Sequence, residues 1–188
     1  MLTTRLLIVA VVAAACGHLR ATQPIPARPS DLRAAYLITV ADDFIADLYQ
    51  NGRPIPDTKR QLLEERFGAT IERINTTVRK GDWLVFNVVN NRLRWGGAYY
   101  FAVAGCFAND EFGFVSRLDD GNWSACDTSA DVDRFITRKS YFQQRAAQKI
   151  SQPWSDGDTL IRHYAGAAWS GAPVWGATRN TWVKVIVE

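Results

Sequence analysis

Residues 40–52 read V-A-D-D-F-I-A-D-L-Y-Q-N-G and carry two turn signals within one short stretch. Asp42-Asp43 suits a tight turn because short carboxylates hydrogen-bond to nearby backbone groups. Asn51-Gly52 favours a hairpin turn because both residues tolerate positive φ. Between the turns apolar and polar residues alternate, which places Phe44 and Leu48 on one face of a strand. The stretch predicts a meander of three short strands in one sheet, with Phe44 and Leu48 facing inward.

Strand-forming residues continue on both sides of this stretch. Residues 35–40 are rich in β-branched and aromatic side chains, and residues 83–90 read W-L-V-F-N-V-V-N. Residues 98–106 form another apolar run, and residues 182–187 alternate in the manner of a closing strand. Many short strands with frequent turn signals predict an all-β fold, an antiparallel β-sandwich.

Three segments are less regular. Residues 58–67 contain few strand formers and predict a helical turn or a loop. Residues 107–130 are polar and turn-rich, which predicts an excursion off the sheet. Residues 131–150 leave room for one short helix, whose apolar face would contain Phe135, Phe142, Ala146 and Ile150.

The start of the chain has the pattern of a secretory signal peptide. Arg5 precedes a short apolar run and then small residues. The run is about ten residues long, whereas a membrane-spanning helix needs roughly 20. We therefore assign residues 1–21 to a signal peptide, 22–31 to a Pro-rich linker and 32–188 to one domain. This predicts a secreted protein without a transmembrane segment; a buried N-terminal helix is the alternative.

Two further patterns bear on the type of export. Cys16 follows three alanines and precedes a glycine, so a lipid anchor at Cys16 on a bacterial surface is an alternative to free secretion. Asn75-Thr76-Thr77 and Asn122-Trp123-Ser124 fit the acceptor pattern for N-linked glycosylation. Asn75 and Asn122 are therefore predicted glycosylation sites in a eukaryotic secreted protein.

Removal of residues 1–21 leaves two cysteines, Cys106 and Cys126. An even pair in an oxidising compartment predicts a disulfide, which would staple the 107–130 excursion at its base. Closing a loop of about 20 residues would stabilise the fold by roughly 3 kcal/mol. Two free, buried thiols are the alternative.

Several pieces of the chain together resemble a known family. The pieces are A-D-D-F-I-A-D-L-Y-Q-N-G at 41–52, V-R-K-G-D-W-L-V-F-N-V-V-N-N at 78–91, P-V-W-G at 173–176 and W-V-K-V-I-V at 182–187. They are similar to the hairpin, central strand and final strand of galactose-binding-like jelly-roll domains. The resemblance covers about half of the mature chain and leaves 106–150 without a counterpart. It implies a jelly-roll sandwich whose relatives bind sugars, decorate larger enzymes or mediate adhesion.

Charge argues against a nucleic-acid partner. The formal net charge of the whole chain is +3. Without residues 1–21 the basic residues fall from 22 to 20 against 19 acidic ones, which leaves +1. Lys and Arg are spread along the chain, without the clustered patch that phosphate binding requires.

The sequence contains few of the residues and motifs that enzymes use for catalysis. His163 is the one histidine beyond residue 21, and no G-x-S-x-G motif accompanies it. Residues 161–164 look strand-like, so His163 is predicted to be structural or exposed, and the protein is predicted to be non-catalytic. The turns at 119–122 and 155–158 offer oxygens for Ca²⁺. Neither matches a complete calcium loop, so no cofactor is expected and Ca²⁺ is the alternative.

Aromatic residues point to carbohydrate. The chain contains 7 Trp and 6 Tyr, and flat rings suit the C–H faces of sugars. Trp95, Trp123 and Trp154 lie in turn-rich segments and are the predicted exposed, carbohydrate-binding residues; loop anchoring is the alternative for each. Trp83, Trp175 and Trp182 lie in strand-like segments and are predicted to be core. The expected function is a monomeric, non-catalytic module that binds glycans. The alternative is an adhesive or structural protein that binds extracellular proteins.

Overall fold

The computed structural model of the chain describes residues 29–90, 99–140, 145–150 and 153–188. The predicted signal peptide and most of the linker lie outside these residues. The strands are β1 Leu32–Ala34, β2 Tyr36–Asp42, β3 Phe44–Gln50, β4 Arg53–Pro54, β5 Arg60–Arg66, β6 Ala69–Ile74, β7 Val78–Arg79, β8 Trp83–Val89, β9 Tyr100–Cys106, β10 Phe112–Val115, β11 Trp123–Cys126, β12 Arg145–Ala146, β13 Gln148–Lys149, β14 Val174–Trp175 and β15 Asn180–Ile186. The helices are α1 Val132–Thr137 and α2 Gly157–Ala165, with short 3-10 turns at Asp57–Lys59 and Ser129–Asp131.

Two antiparallel sheets form the body of the protein. One has the order β10-β9-β2-β6-β5 and the other β12-β11-β15-β8-β3-β4. Their inner faces share one apolar core, in which the ring centroids of Phe86 on β8 and Phe101 on β9 lie 5.1 Å apart. Val183, Val185 and Val187 also enter this core, as their alternation predicts. The prediction of an all-β, antiparallel fold is confirmed.

The turn at Asp42-Asp43 connects the two sheets. β2 pairs with β6 and β9, whereas β3 pairs with β8 and β4. Between them, the backbone N–H of Asp43 donates to Val89 O at 2.8 Å, and Asp43 O accepts from Thr70 N at 2.9 Å. One residue is thus hydrogen-bonded to both sheets at once. The predicted three-stranded meander is wrong, because the chain changes sheet at this turn.

The second turn is the hairpin that the sequence predicts. Gln50 pairs with Arg53, and Asn51 and Gly52 have φ values of 54° and 75°. These positive values are what Asn-Gly supplies in a two-residue hairpin turn.

A β-bulge changes the inward face of β3. The register with β8 shifts between Ile45 and Asp47, so one extra residue breaks the simple alternation. Ile45 and Leu48 are buried as a result, while Ala46 is exposed and Phe44 is half-buried. The prediction that Leu48 faces inward is confirmed. The prediction for Phe44 is wrong, because Ile45 enters the core and Phe44 is only half-buried.

Both sheets are covered on their outer faces by a helix. α2 packs on the five-stranded sheet through Leu160, Ile161 and Ala165, and the chain that follows buries Trp169 completely. α1 places Phe135 and Ile136 on the six-stranded sheet. The close approach of α2 requires Gly157, because a Cβ at this position would lie 2.4 Å from the Tyr100 ring.

The irregular segments contain more regular structure than their sequence indicates. Residues 107–130 contribute β10 to one large sheet and β11 to the other, so they are not an excursion. Residues 60–66 form the edge strand β5 instead of a loop, because β6 offers a complete hydrogen-bonding partner. In 131–150 the helix ends at Thr137, and β12 and β13 follow; Phe142 lies outside the described residues.

The predicted disulfide between Cys106 and Cys126 is wrong, and both are free, buried cysteines. Cys106 belongs to the apolar cluster beneath α2, whereas Cys126 belongs to the cluster beneath α1. The two side chains therefore lie on opposite outer faces of the two packed sheets. Packed sheets are about 10 Å apart, and a disulfide needs Cα atoms within about 7 Å. An even number of cysteines does not indicate whether they lie on the same face of the fold.

We predict that Phe101→Ala lowers the free energy of unfolding by about 3–5 kcal/mol, because it leaves a cavity between the two sheets. Urea denaturation followed by fluorescence measures the change. Phe67→Ala is the matched control, since Phe67 is 66% exposed and its truncation should change stability by less than about 0.5 kcal/mol. Similar losses in the two variants would contradict the placement of Phe101.

We also predict that both cysteines are reduced in the purified full chain. Each should react with iodoacetamide after unfolding without a reductant, and Cys106 should react slowly in the folded protein because burial raises the pKa of its thiol to about 11. Peptide mapping by mass spectrometry identifies the alkylated peptides. A disulfide-linked peptide pair containing Cys106 and Cys126 would contradict this arrangement.

Candidate functional site

Two adjoining cavities form the candidate site, which we call the Arg117 cleft. The larger has a volume of about 660 Å³ and the smaller about 280 Å³, and both are lined by Arg117 and Ser170. Asp119, Lys149 and Asp158 also line the larger cavity. These side chains come from the loop after β10, from β13, from the start of α2 and from the loop before β14.

A buried serine holds the walls of the cleft together. Ser116 Oγ accepts from Val103 N at 3.1 Å and donates to Ala172 O at 2.7 Å. Ala172 N in turn donates to Ser116 O at 2.7 Å. A Cβ on Gly171 would lie 2.6 Å from Ser116 O, so only glycine allows this contact. The loop at 170–173 is therefore fixed against β9 rather than merely adjacent to it.

Charges of both signs line the cleft. Arg117 donates to both carboxylate oxygens of Asp119, at 2.5 and 2.6 Å. This hydrogen bonding holds the pKa of Asp119 below its usual value. Asp158 accepts from the Tyr100 hydroxyl at 2.6 Å, and Lys149 is exposed at the rim. Ile150 and Pro173 also line the larger cavity and contribute apolar atoms to its wall. The cleft thus combines donors, acceptors and apolar patches.

Two of the three predicted carbohydrate-binding tryptophans, Trp123 and Trp154, do not present exposed rings there. Trp123 is 3% exposed, so the prediction that it is exposed is wrong: it pairs with Val185 and faces the core. It nevertheless lines the smaller cavity. Trp154 is half-buried against the cluster beneath α2, next to Pro153 of the larger cavity. Trp95 lies outside the described residues.

The tryptophans predicted to be core differ in burial. Trp175 is 3% exposed and packs against Tyr99, with ring centroids 5.2 Å apart and a tilt of 38° between the rings. Trp83 and Trp182 are half-buried and pack beside α1, where Trp83 Nε1 donates to Ile136 O at 3.0 Å. Their rings anchor the outer layer rather than the core between the sheets.

The two predicted glycosylation sites have different surroundings. Asn75 is exposed and its side-chain oxygen accepts from Arg73 at 3.2 Å. Asn122 is half-buried in the turn after Gly121, where its N–H donates to Asp120. Asn122 also lines the smaller cavity of the Arg117 cleft. Glycosylation of either residue stays a prediction.

The acidic turns and His163 have local roles. Within the described ranges, no three His, Cys, Asp or Glu side chains gather as a potential metal site. Asp119 bonds to Arg117 and Asp158 accepts from Tyr100, so both carboxylates already have partners. His163 lies on α2, not on the predicted strand, and it is exposed beside Tyr164, with ring centroids 4.8 Å apart.

Comparisons with protein-family models, with curated proteins and with solved structures find no match to this chain. The resemblance to galactose-binding-like domains therefore rests on the sequence pieces alone. Among the described residues, no helix has the length and apolar character needed to cross a membrane.

Lys184 is a buried charge outside the cleft. It is fully buried on β15, its Nζ lies 4.0 Å from the centroid of the Phe135 ring, and it donates to Arg138 O at 2.9 Å. Burial lowers the pKa of Lys184 to about 8. A charged lysine at this position lowers the stability of the fold, because the packing of α1 removes its ammonium group from water.

We predict that Lys184→Met raises the free energy of unfolding at pH 7 by about 1–2 kcal/mol, because it removes a buried charge. The folded-state pKa of about 8 lies below the ordinary 10.5, so between these values the unfolded chain binds a proton that the folded chain has lost. Wild-type stability should therefore rise with pH across this window relative to the variant.

Urea denaturation between pH 7 and 10.5 measures both effects. Lys149→Met, at an exposed position, should show neither of them. Parallel pH profiles for the wild type and Lys184→Met would contradict the burial of a titrating lysine.

Proposed function

We propose that this protein is a secreted, monomeric, non-catalytic binding module with a galactose-binding-like jelly-roll fold, and that it binds carbohydrate or a glycoconjugate in the Arg117 cleft. The observation that carries the proposal is the mixed lining of the larger cavity, which combines Arg117, Asp119, Lys149 and Asp158 with apolar residues. The secreted location is supported by the signal-like start of the chain, with a lipid anchor at Cys16 as the alternative.

Sugar chemistry suits such a lining. A sugar ring presents hydroxyls that both donate and accept hydrogen bonds, and C–H faces that need apolar contacts. Arg117 and Lys149 would donate to hydroxyl oxygens, and Asp119 would accept from hydroxyls. Leu118, Ile150 and the neighbouring prolines would contact the C–H faces, so exposed tryptophans are not essential to this mode. The fixed loop at 170–173 would reduce the entropy lost on binding.

A second function, adhesion to another protein, is favoured by one observation. Leu62 on the edge strand β5 and Phe67 in the turn that follows are 57% and 66% exposed. Edge strands with exposed apolar side chains are sites at which other chains can pair. This alternative would place the partner on β5, away from the Arg117 cleft.

We predict that the labelled full-length protein binds at least one glycan on an array, and that Arg117→Ala weakens this binding at least tenfold, or about 1.4 kcal/mol. The variant removes a donor from both cavities and the partner of Asp119. Isothermal titration with the glycan found on the array measures the loss. Arg145→Ala, an exposed substitution outside the cleft, is the control and should bind as the wild type does.

Two results would contradict the proposal. One is an array without signal above background for protein that unfolds cooperatively. The other is glycan binding that Arg117→Ala leaves unchanged. Glycan binding that is lost in Leu62→Ser but kept in Arg117→Ala would place the glycan at the β5 edge instead of the cleft.

A further inference from the structure

A second pocket lies beside the β3–β4 hairpin, on residues that the Arg117 cleft does not use. We call it the hairpin pocket and define it by Gln50, Asn51, Arg53, Ile55, Lys59 and Thr76. Its volume is about 520 Å³, enough for one or two sugar-sized groups.

Among the described residues, two charged side chains line this pocket, and both are basic. Arg53 and Lys59 are exposed, and no carboxylate belongs to the lining. Asp57 is close in sequence, but it lies outside the lining and contacts Arg60 at 3.6 Å. The lining residues therefore carry two positive charges and no negative one, and the nearby carboxylate of Asp82 is occupied by Gln50 and Asn51.

Two neighbouring arginines form ion pairs with carboxylates of the protein. Arg60 donates to both carboxylate oxygens of Glu72 at 2.8 Å. Arg79 contacts Asp31 at 2.7 Å. These arginines have protein carboxylates as partners, whereas Arg53 and Lys59 face an open cavity. This difference separates the hairpin pocket from an ordinary charged surface.

The polar walls of the pocket are held rigidly. Gln50 Nε2 donates to Thr77 O at 2.8 Å and to Asp82 at 2.9 Å, and Gln50 Oε1 accepts from Thr76 at 2.7 Å. Asn51 donates to Asp82 at 2.8 Å and accepts from Trp83 N at 3.0 Å. A ligand would meet a preformed surface, with only the two basic side chains left to order.

We propose that the hairpin pocket binds anionic oxygen groups, the sulfate or carboxylate groups of an acidic saccharide. The Arg53 guanidinium can donate two parallel hydrogen bonds to such a group, and the Lys59 ammonium acts as a compact positive charge. Prolines 54 and 56 restrict the backbone between the two cations, so the separation of their Cα atoms is constrained. The proposal does not depend on a ligand in the Arg117 cleft.

The test is a titration of the ¹⁵N-labelled full-length protein, produced without glycosylation at Asn75, with a sulfated hexasaccharide that also carries uronic carboxylates. Amide shifts should change at residues 50–59. Arg53→Gln/Lys59→Gln should weaken the binding at least tenfold. Lys80→Gln/Arg145→Gln removes the same charge from exposed positions outside the pocket and should stay within twofold of the wild type.

Two further probes identify the anion. A desulfated hexasaccharide that keeps its carboxylates should bind if the carboxylate is recognised, and it should lose binding if the sulfate is recognised. A neutral, carboxyl-reduced and desulfated hexasaccharide should leave residues 50–59 unshifted in either case.

Three results would overturn the proposal. The first is the absence of shifts at 50–59 with every charged probe. The second is equal loss of affinity in the two double variants, which would mean that overall charge, not the pocket, attracts the ligand. The third is loss of binding in Arg117→Ala with Arg53→Gln/Lys59→Gln unaffected, which would place the anion in the cleft. Thermal unfolding within a few degrees of the wild type establishes that each variant is folded.

Discussion

The contact between the inner faces of the two large sheets is the constraint on which the rest of the structure depends. Phe86 and Phe101 meet across it, and both are fully buried. Successive side chains of a strand point to opposite faces. The residues that make this contact therefore determine which of their neighbours face outward. Val85 and Lys184 on one sheet and Tyr100 on the other are the outward residues, and they lie in the clusters that α1 and α2 cover.

Helices pack on both outer faces, and the two candidate surfaces lie beyond them, at edges and loop ends. The Arg117 cleft forms where the loops after β10, β13 and before β14 converge. The hairpin pocket forms beside the turn at Asn51-Gly52. In both, a hydrogen-bonded side chain fixes the loop: buried Ser116 in the first and half-buried Gln50 in the second. Rigid support from the sheets is what allows loop residues to form a shaped surface.

The sequence predicts those parts of the fold in which local pattern and tertiary partner agree. β8 is a run of strand-forming residues, β15 alternates from Trp182 onward, and the two pair along their whole lengths. Asn51-Gly52 needs nothing beyond its own φ preferences. Other features depend on partners far away in sequence. These are the bulge after Ile45, the change of sheet at Asp43 and the strand at 60–66. The Arg117 cleft has no signal in the sequence, because Arg117, Lys149 and Ser170 are isolated polar residues that only the folded loops bring together.

Packing between layers takes up several of the aromatic residues that the composition brings to notice. Four layers of secondary structure create three apolar interfaces, and each takes large rings: Trp123 in the central one, Trp169 beneath α2, and Trp182 beside α1. Packing thus accounts for these three tryptophans. What distinguishes the two candidate surfaces is charge balance, since Arg117 is neutralised by Asp119 while Arg53 and Lys59 are not neutralised by the pocket that they line. A neutralised lining favours uncharged hydroxyls, and an unneutralised one favours anions, because desolvating an ion is costly unless an opposite charge replaces its water.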